Sequence, residues 1–156
     1  MKKILSTPRN LAQRGFTLIE LLVVIGILVV LLSITLIAIN PARQFAQADN
    51  TQRRSDVSAI LNAVHQFGAD NNGTYPAAIT AVPTEISDVG INICSDVVSL
   101  YLAALPADPD TGDAITEAGC VAAHVTGYEI SISATNDRVT VAAPNAELGA
   151  VISVTR

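Results

Sequence analysis

The spacing of apolar residues changes character twice along the chain. From Leu21 to Ile39 there are 19 residues broken only by Gly26, Ser33 and Thr35, all small enough for a helix in lipid. Beyond Asn40, the residues Val57, Ile60, Leu61, Val64 and Phe67 recur at helical spacing, with Asp56, Ser58, Asn62 and Gln66 mostly on the other side. That is the period of a helix with one buried stripe, and "NNG" at 71–73 supplies its stop. In "HVTGYEISISA", "RVTVAAP" and "GAVISVTR" β-branched residues alternate with polar ones, as in half-buried strands, and "TND" (Thr135–Asp137) reads as a tight turn between the first two. The stretch between helix and strands mixes Pro, Asp and Gly and offers one short helical candidate, Ser95–Leu105.

These patterns predict an α+β subunit. A long N-terminal α-helix, first membrane-spanning and then amphipathic, packs its upper half on a small antiparallel sheet of three or four strands. Read from Phe16 to Asn71 the helix is one rod of 56 residues, about 84 Å at ~1.5 Å per residue. A stripe this long cannot be buried by one small domain, so its lower half must meet lipid or other copies. Pro41 stands at the joint. It kinks or breaks the helix, or else "NP" pairs an Asn40 cap with proline at a first helical position, giving two helices.

Charge changes the picture. Residues 1–15 carry Lys2, Lys3, Arg9 and Arg14 and no acid, whereas the remainder has 5 Arg, no Lys and 14 Asp or Glu. A basic start before an apolar run keeps the N-terminus in the cytoplasm and sends the acidic part across the membrane. That acidity excludes a nucleic-acid partner, since phosphates require a basic surface. Cys94 and Cys120 both lie in the exported part, where an even count favours a disulfide over two buried thiols. Closing a loop of roughly 25 residues would stabilise the domain by about 3 kcal/mol.

A cleaved secretory signal fits the apolar run poorly: its core is shorter, and "IAINPARQ" lacks a small residue before a cut. A plain single-span anchor fits better, except for Glu20 at the head of the run, where an ionised acid is unfavourable without a partner. The helix N-terminus offsets part of that penalty. Arg53 and Arg54 read as a solvated patch or as partners for acids on neighbouring subunits. His65 and His124 each stand alone, without a second metal ligand nearby in sequence. Asp108, Asp110 and Asp113 crowd around Gly112 in "LPADPDTGDAITE", a spacing that partly suits a hard cation and equally suits a solvated turn. No nucleophile set, phosphate loop or zinc cluster suggests an enzyme.

"RGFTLIELLVVIGIL" resembles, almost residue for residue, the N-terminal signature of type IV pilins and the pseudopilins of type II secretion. The resemblance implies a leader, Met1–Gly15, removed by a prepilin peptidase between Gly15 and Phe16, with Phe16 becoming the N-methylated first residue. It also implies that Glu20 registers each subunit against a neighbour's N-terminal amine. Around a proline comparable to Pro41, the helix is often unwound in assembled filaments. The domains expected are therefore 1–15, the cleaved leader; 16–40, the transmembrane and filament-core helix; 41–72, its amphipathic continuation; and 73–156, the globular part. "LPADPDTG" is similar to the loop in which calcium orders some members of the family, with Asp108, Asp110 and Asp113 as the implied ligands.

The function so implied is that of a structural subunit, a major pilin that polymerises with itself into a type IV pilus. The partners implied are the prepilin peptidase, the assembly ATPase, its inner-membrane platform and the membrane. The location is the cytoplasmic membrane before assembly, then a surface filament or a periplasmic pseudopilus. The Asp-Pro loop favours the alternative of a major pseudopilin; the cysteines and strand-rich end favour the pilin. A monomeric membrane-tethered binding domain is the reading from a different class.

Overall fold

The computed structural model describes residues 15–156; apart from Gly15, the leader expected from the sequence lies outside them. The chain divides into two units, one ending at Pro41 and one running from Ala42 to Arg156, and each is described by itself.

The first unit holds α1, Leu18–Ile39, in which no residue is buried. The helix is apolar all round, with a mean hydropathy of 3.2 over its best window and a length sufficient to cross a membrane. Its two hydroxyls are satisfied internally. Ser33 donates to the Val29 carbonyl at 2.8 Å and Thr35 to that of Leu32 at 2.9 Å, so neither leaves a bare polar group on the apolar surface. Asn40, with φ of 48°, ends the helix in the left-handed region, and α2 (Pro41–Asp70) begins with proline at its first position. There the missing N–H removes no helical hydrogen bond. Two helices, not one uninterrupted rod, are what this sequence forms.

In the second unit, α2 buries Val57, Ile60, Leu61 and Val64, the stripe its sequence announces. It stops where expected: Asn72 and Gly73 adopt positive φ and the Gly73 amide reaches back to the Gly68 carbonyl at 2.7 Å. Four antiparallel strands follow in sequential order: β1 (Thr84–Ser87), β2 (Val125–Ile132), β3 (Val139–Ala143) and β4 (Ile152–Thr155). Tyr128, Ile130, Val139, Val141, Ala143 and Ile152 supply the buried face and join the α2 stripe in one core. Thr135–Asp137 does turn the chain between β2 and β3, with the Ser133 amide bonded to the Arg138 carbonyl at 2.9 Å.

Two elements differ from the sequence reading. β1 adds a strand in a stretch that reads as irregular. The helix expected over Ser95–Leu105 shrinks to α3, Cys94–Val97. Ser99 takes a φ of 73° and the chain folds back, so that Leu105 pairs with Ile115 through two 2.8 Å hydrogen bonds. A 3-10 turn, Glu117–Val121, completes the connection.

Candidate functional site

Two places in the chain concentrate chemistry: the start of α1 and one position on α2. At the first, Thr17 caps the helix. Its hydroxyl accepts the Glu20 amide at 3.3 Å, while its own amide and hydroxyl both donate to Glu20 Oε2 at 2.8 Å. This reciprocal box fixes the carboxylate over the helix start, where partial positive charge favours an anion. Gly15 and Phe16 precede the cap in non-helical backbone, and Phe16 is 83% exposed. The Gly15–Phe16 bond thus lies outside the helix, one residue before the group that holds Glu20. Below it, Leu22, Val23, Ile27, Val30 and Leu31 frame a shallow groove over Gly26 on the bare apolar surface.

The second place departs from the sequence expectation. Arg53 is completely buried, not a solvated surface cation. Its Nε donates to Asp108 Oδ2 at 2.7 Å and its Nη2 to Asp108 Oδ1 at 3.0 Å and to Asp110 Oδ2 at 2.7 Å. Its Nη1 donates to Asn50 Oδ1 at 3.3 Å and Glu147 Oε2 at 3.2 Å. All five N–H groups of a guanidinium are therefore engaged. Asn50 strengthens the same junction by exchanging hydrogen bonds with the Glu147 backbone, at 2.9 and 3.0 Å. One side chain of α2 thereby fastens both the 105–115 loop and the 144–148 turn.

That loop reaches α2 by lying against β2. The Asp108 amide bonds the Thr126 carbonyl at 2.8 Å. Gly127, with φ of 73°, leaves room for it, since a Cβ there would stand 2.8 Å from the Asp108 Cβ and 2.9 Å from Thr111. Burial pushes the Asp108 carboxyl up, but the Arg53 hydrogen bonds, the Asp110 amide and the guanidinium charge outweigh it and hold the acid below its ordinary range. The Asp108 hydrogen bond leads the effects that raise Arg53 above its usual value. Next to this cluster, burial raises Asp56 against the hydrogen bonds of Tyr128 and Gln52. The buried Tyr128 hydroxyl donates to Asp56 at 2.8 Å, and burial followed by that bond raises the tyrosine.

Of the acids implied as calcium ligands, Asp108 and Asp110 converge, but on Arg53; Asp113 is exposed and joins neither. Among the described residues no three His, Cys, Asp or Glu side chains gather to hold a metal ion. Both oxygens of Asp108 are already committed, so this set does not fit a hard cation, which takes six or more oxygens. Cys94 and Cys120 form a disulfide with a Cα–Cα distance of 5.4 Å, joining α3 to the 3-10 turn. His65 meets the Tyr75 hydroxyl at 3.1 Å, and His124 is buried against the Ala122 carbonyl at 2.9 Å. A signal for Arg53 exists in the sequence: it stands four residues before Val57, on the apolar stripe extended backwards, where a solvated charge does not belong.

Residues 10–36 match the prokaryotic N-terminal methylation motif. No curated protein and no solved structure matches the chain. The matched segment contains Gly15, Phe16, Glu20 and most of α1. The chain is thus prepilin-like at its N-terminus, carrying the motif typical of type IV pilins and pseudopilins. That motif implies processing by a prepilin peptidase and, with the apolar α1, anchoring in the inner membrane before assembly.

Proposed function

We propose that this chain is the major subunit of a type IV pilus, cut between Gly15 and Phe16, methylated on Phe16 and polymerised through α1. Residues 1–15 form the leader, 16–40 the segment that moves from membrane to filament core, 41–72 its amphipathic continuation and 73–156 the outward-facing globular part. The observation that carries this reading is an unburied, almost wholly apolar α1 headed by one capped carboxylate within a matched methylation motif.

The chemistry follows from charge. Cleavage frees a cationic amine on Phe16 in apolar surroundings, four residues from Glu20. Each charge is costly there unless paired, and the amine of one subunit can meet the carboxylate of the next. Burial of α1 against other copies replaces its burial in lipid, so extraction by an ATP-driven machine on the membrane platform is not prohibitively unfavourable. Pro41 follows Asn40, where the helical hydrogen bonding is already interrupted, and gives the segment a point at which to unwind during assembly. The role is structural, with no catalytic step assigned to the chain.

A major pseudopilin of a type II secretion system is the second reading, favoured by the Asp108–Pro109 loop. The disulfide and the four-stranded sheet support the pilin. Mass spectrometry of the mature chain, with electron microscopy of material sheared from the cell surface, tests the proposal. A product beginning at methylated Phe16 within surface fibres is expected. An intact lysine-bearing leader on a monomer would overturn it, and filaments confined to the periplasm would favour the pseudopilin.

A further inference from the structure

We propose that Arg53 is the resident cation of the 105–115 loop: its guanidinium does the work of a bound divalent ion and makes the domain indifferent to calcium. The proposal does not depend on the filament reading, since it concerns only the unit from Ala42 onwards.

Three carboxylates from two separate segments, those of Asp108, Asp110 and Glu147, converge on this one buried side chain. In the absence of a positive charge they would repel one another, and Asp108, with a fully buried side chain, would carry an uncompensated charge in the interior. A guanidinium suits the position better than an ammonium would. Its planar fork takes both Asp108 oxygens side by side, and its other donors point away towards Asp110, Glu147 and Asn50.

The arrangement also excludes a competing ion. A calcium ion must draw several oxygens to within ~2.3–2.6 Å, and the Asp108 oxygens cannot close around it while the guanidinium lies between them and Asp110. What remains outside the fork is the exposed part of Asp110, 65% accessible, and of Glu147, 40% accessible. Water screens both. The cradle is thus cation-shaped, but its cation is covalently part of α2 and cannot be removed by a chelator.

Replacing the fork by a neutral group should turn the cradle into a calcium-responsive one. The experiment is thermal unfolding of the full chain in detergent, followed by circular dichroism, with millimolar calcium chloride or with a chelator, at matched ionic strength. Wild type should give the same Tm in both. Arg53→Gln should lose about 10 °C or more with the chelator and recover part of that loss with calcium, while an equal charge of sodium has no effect. A wild-type Tm that rises with calcium overturns the proposal, as does a folded Arg53→Gln chain that ignores calcium. Should Arg53→Gln fold under neither condition, the wild-type arm decides alone: invariance supports the resident cation, and a calcium-dependent Tm refutes it.

Discussion

Glu20 and Arg53 are each a charge set into a largely apolar helical face, and the two units treat them in opposite ways. Arg53 is surrounded by its own chain: every donor is engaged and no part is exposed. Among the described residues Glu20 meets Thr17 alone, on a helix in which none of them is buried. A charge completed from within holds a domain together. A charge left with local capping alone, beside a large uncovered apolar surface, is available to something outside the chain. The same physics, that charge in low dielectric must find a partner, gives architecture in one unit and, on the proposed function, would drive association in the other.

The largest expected effect comes from Glu20→Ala. Filament yield should fall to background while the unfolding transition of the domain stays where it is, because α1 buries nothing; normal fibres from this variant would dissolve the contrast. Arg53→Met reverses the pattern. Leaving Asp108 buried without its counter-charge should cost the domain about 3–5 kcal/mol in denaturant unfolding, and a loss under about 1 kcal/mol would place Arg53 with ordinary surface pairs. Removing the disulfide by Cys94→Ala with Cys120→Ala should cost about 3 kcal/mol, given the sequence separation of 26, again without touching α1. Equal stability under reducing and oxidising conditions would contradict this.

Tyr128→Phe should cost about 1 kcal/mol through the lost bond to Asp56. The smallest effect is on the pH profile, and its sign differs between the two acids. Asp108 is depressed in the fold, so its contribution is present above the unfolded value and fades as pH falls through the folded one, below the ordinary carboxylate range near ~4. Asp56 is raised, so its penalty is present at neutral pH and is relieved on acidification. Tm measured against pH should therefore lose its steep acid limb in Arg53→Met, and an unchanged limb would show that Asp108 does not cause it.

Much of this was readable in advance. α1, the core stripe of α2 and strands β2, β3 and β4 follow periodicities of 3.6 or 2 that few alternatives share. β1 was not, because the four residues between Pro83 and "DVG" are too few to display alternation; pairing with β2 makes Thr84–Ser87 a strand. Ser95–Leu105 carries helical spacing, but the positive φ of Ser99 and the Leu105–Ile115 pairing override it. At the N-terminus the motif was legible in full, since its residues are contiguous. The Arg53 cluster was not, because its members lie up to 97 positions apart and only the folded chain brings them together. Even so, an arginine in phase with valine and isoleucine was a visible anomaly.

Gly127 gives one methyl group unusual leverage. The strand passes so close beneath Asp108 that a single added carbon would act as a wedge, lifting the loop. Lifting the loop would withdraw the carboxylate from its guanidinium, so crowding on one side of the sheet would be felt as bare charge beside the helix. The bareness of this one residue is thus the tolerance on which the neighbouring ionic lock is machined.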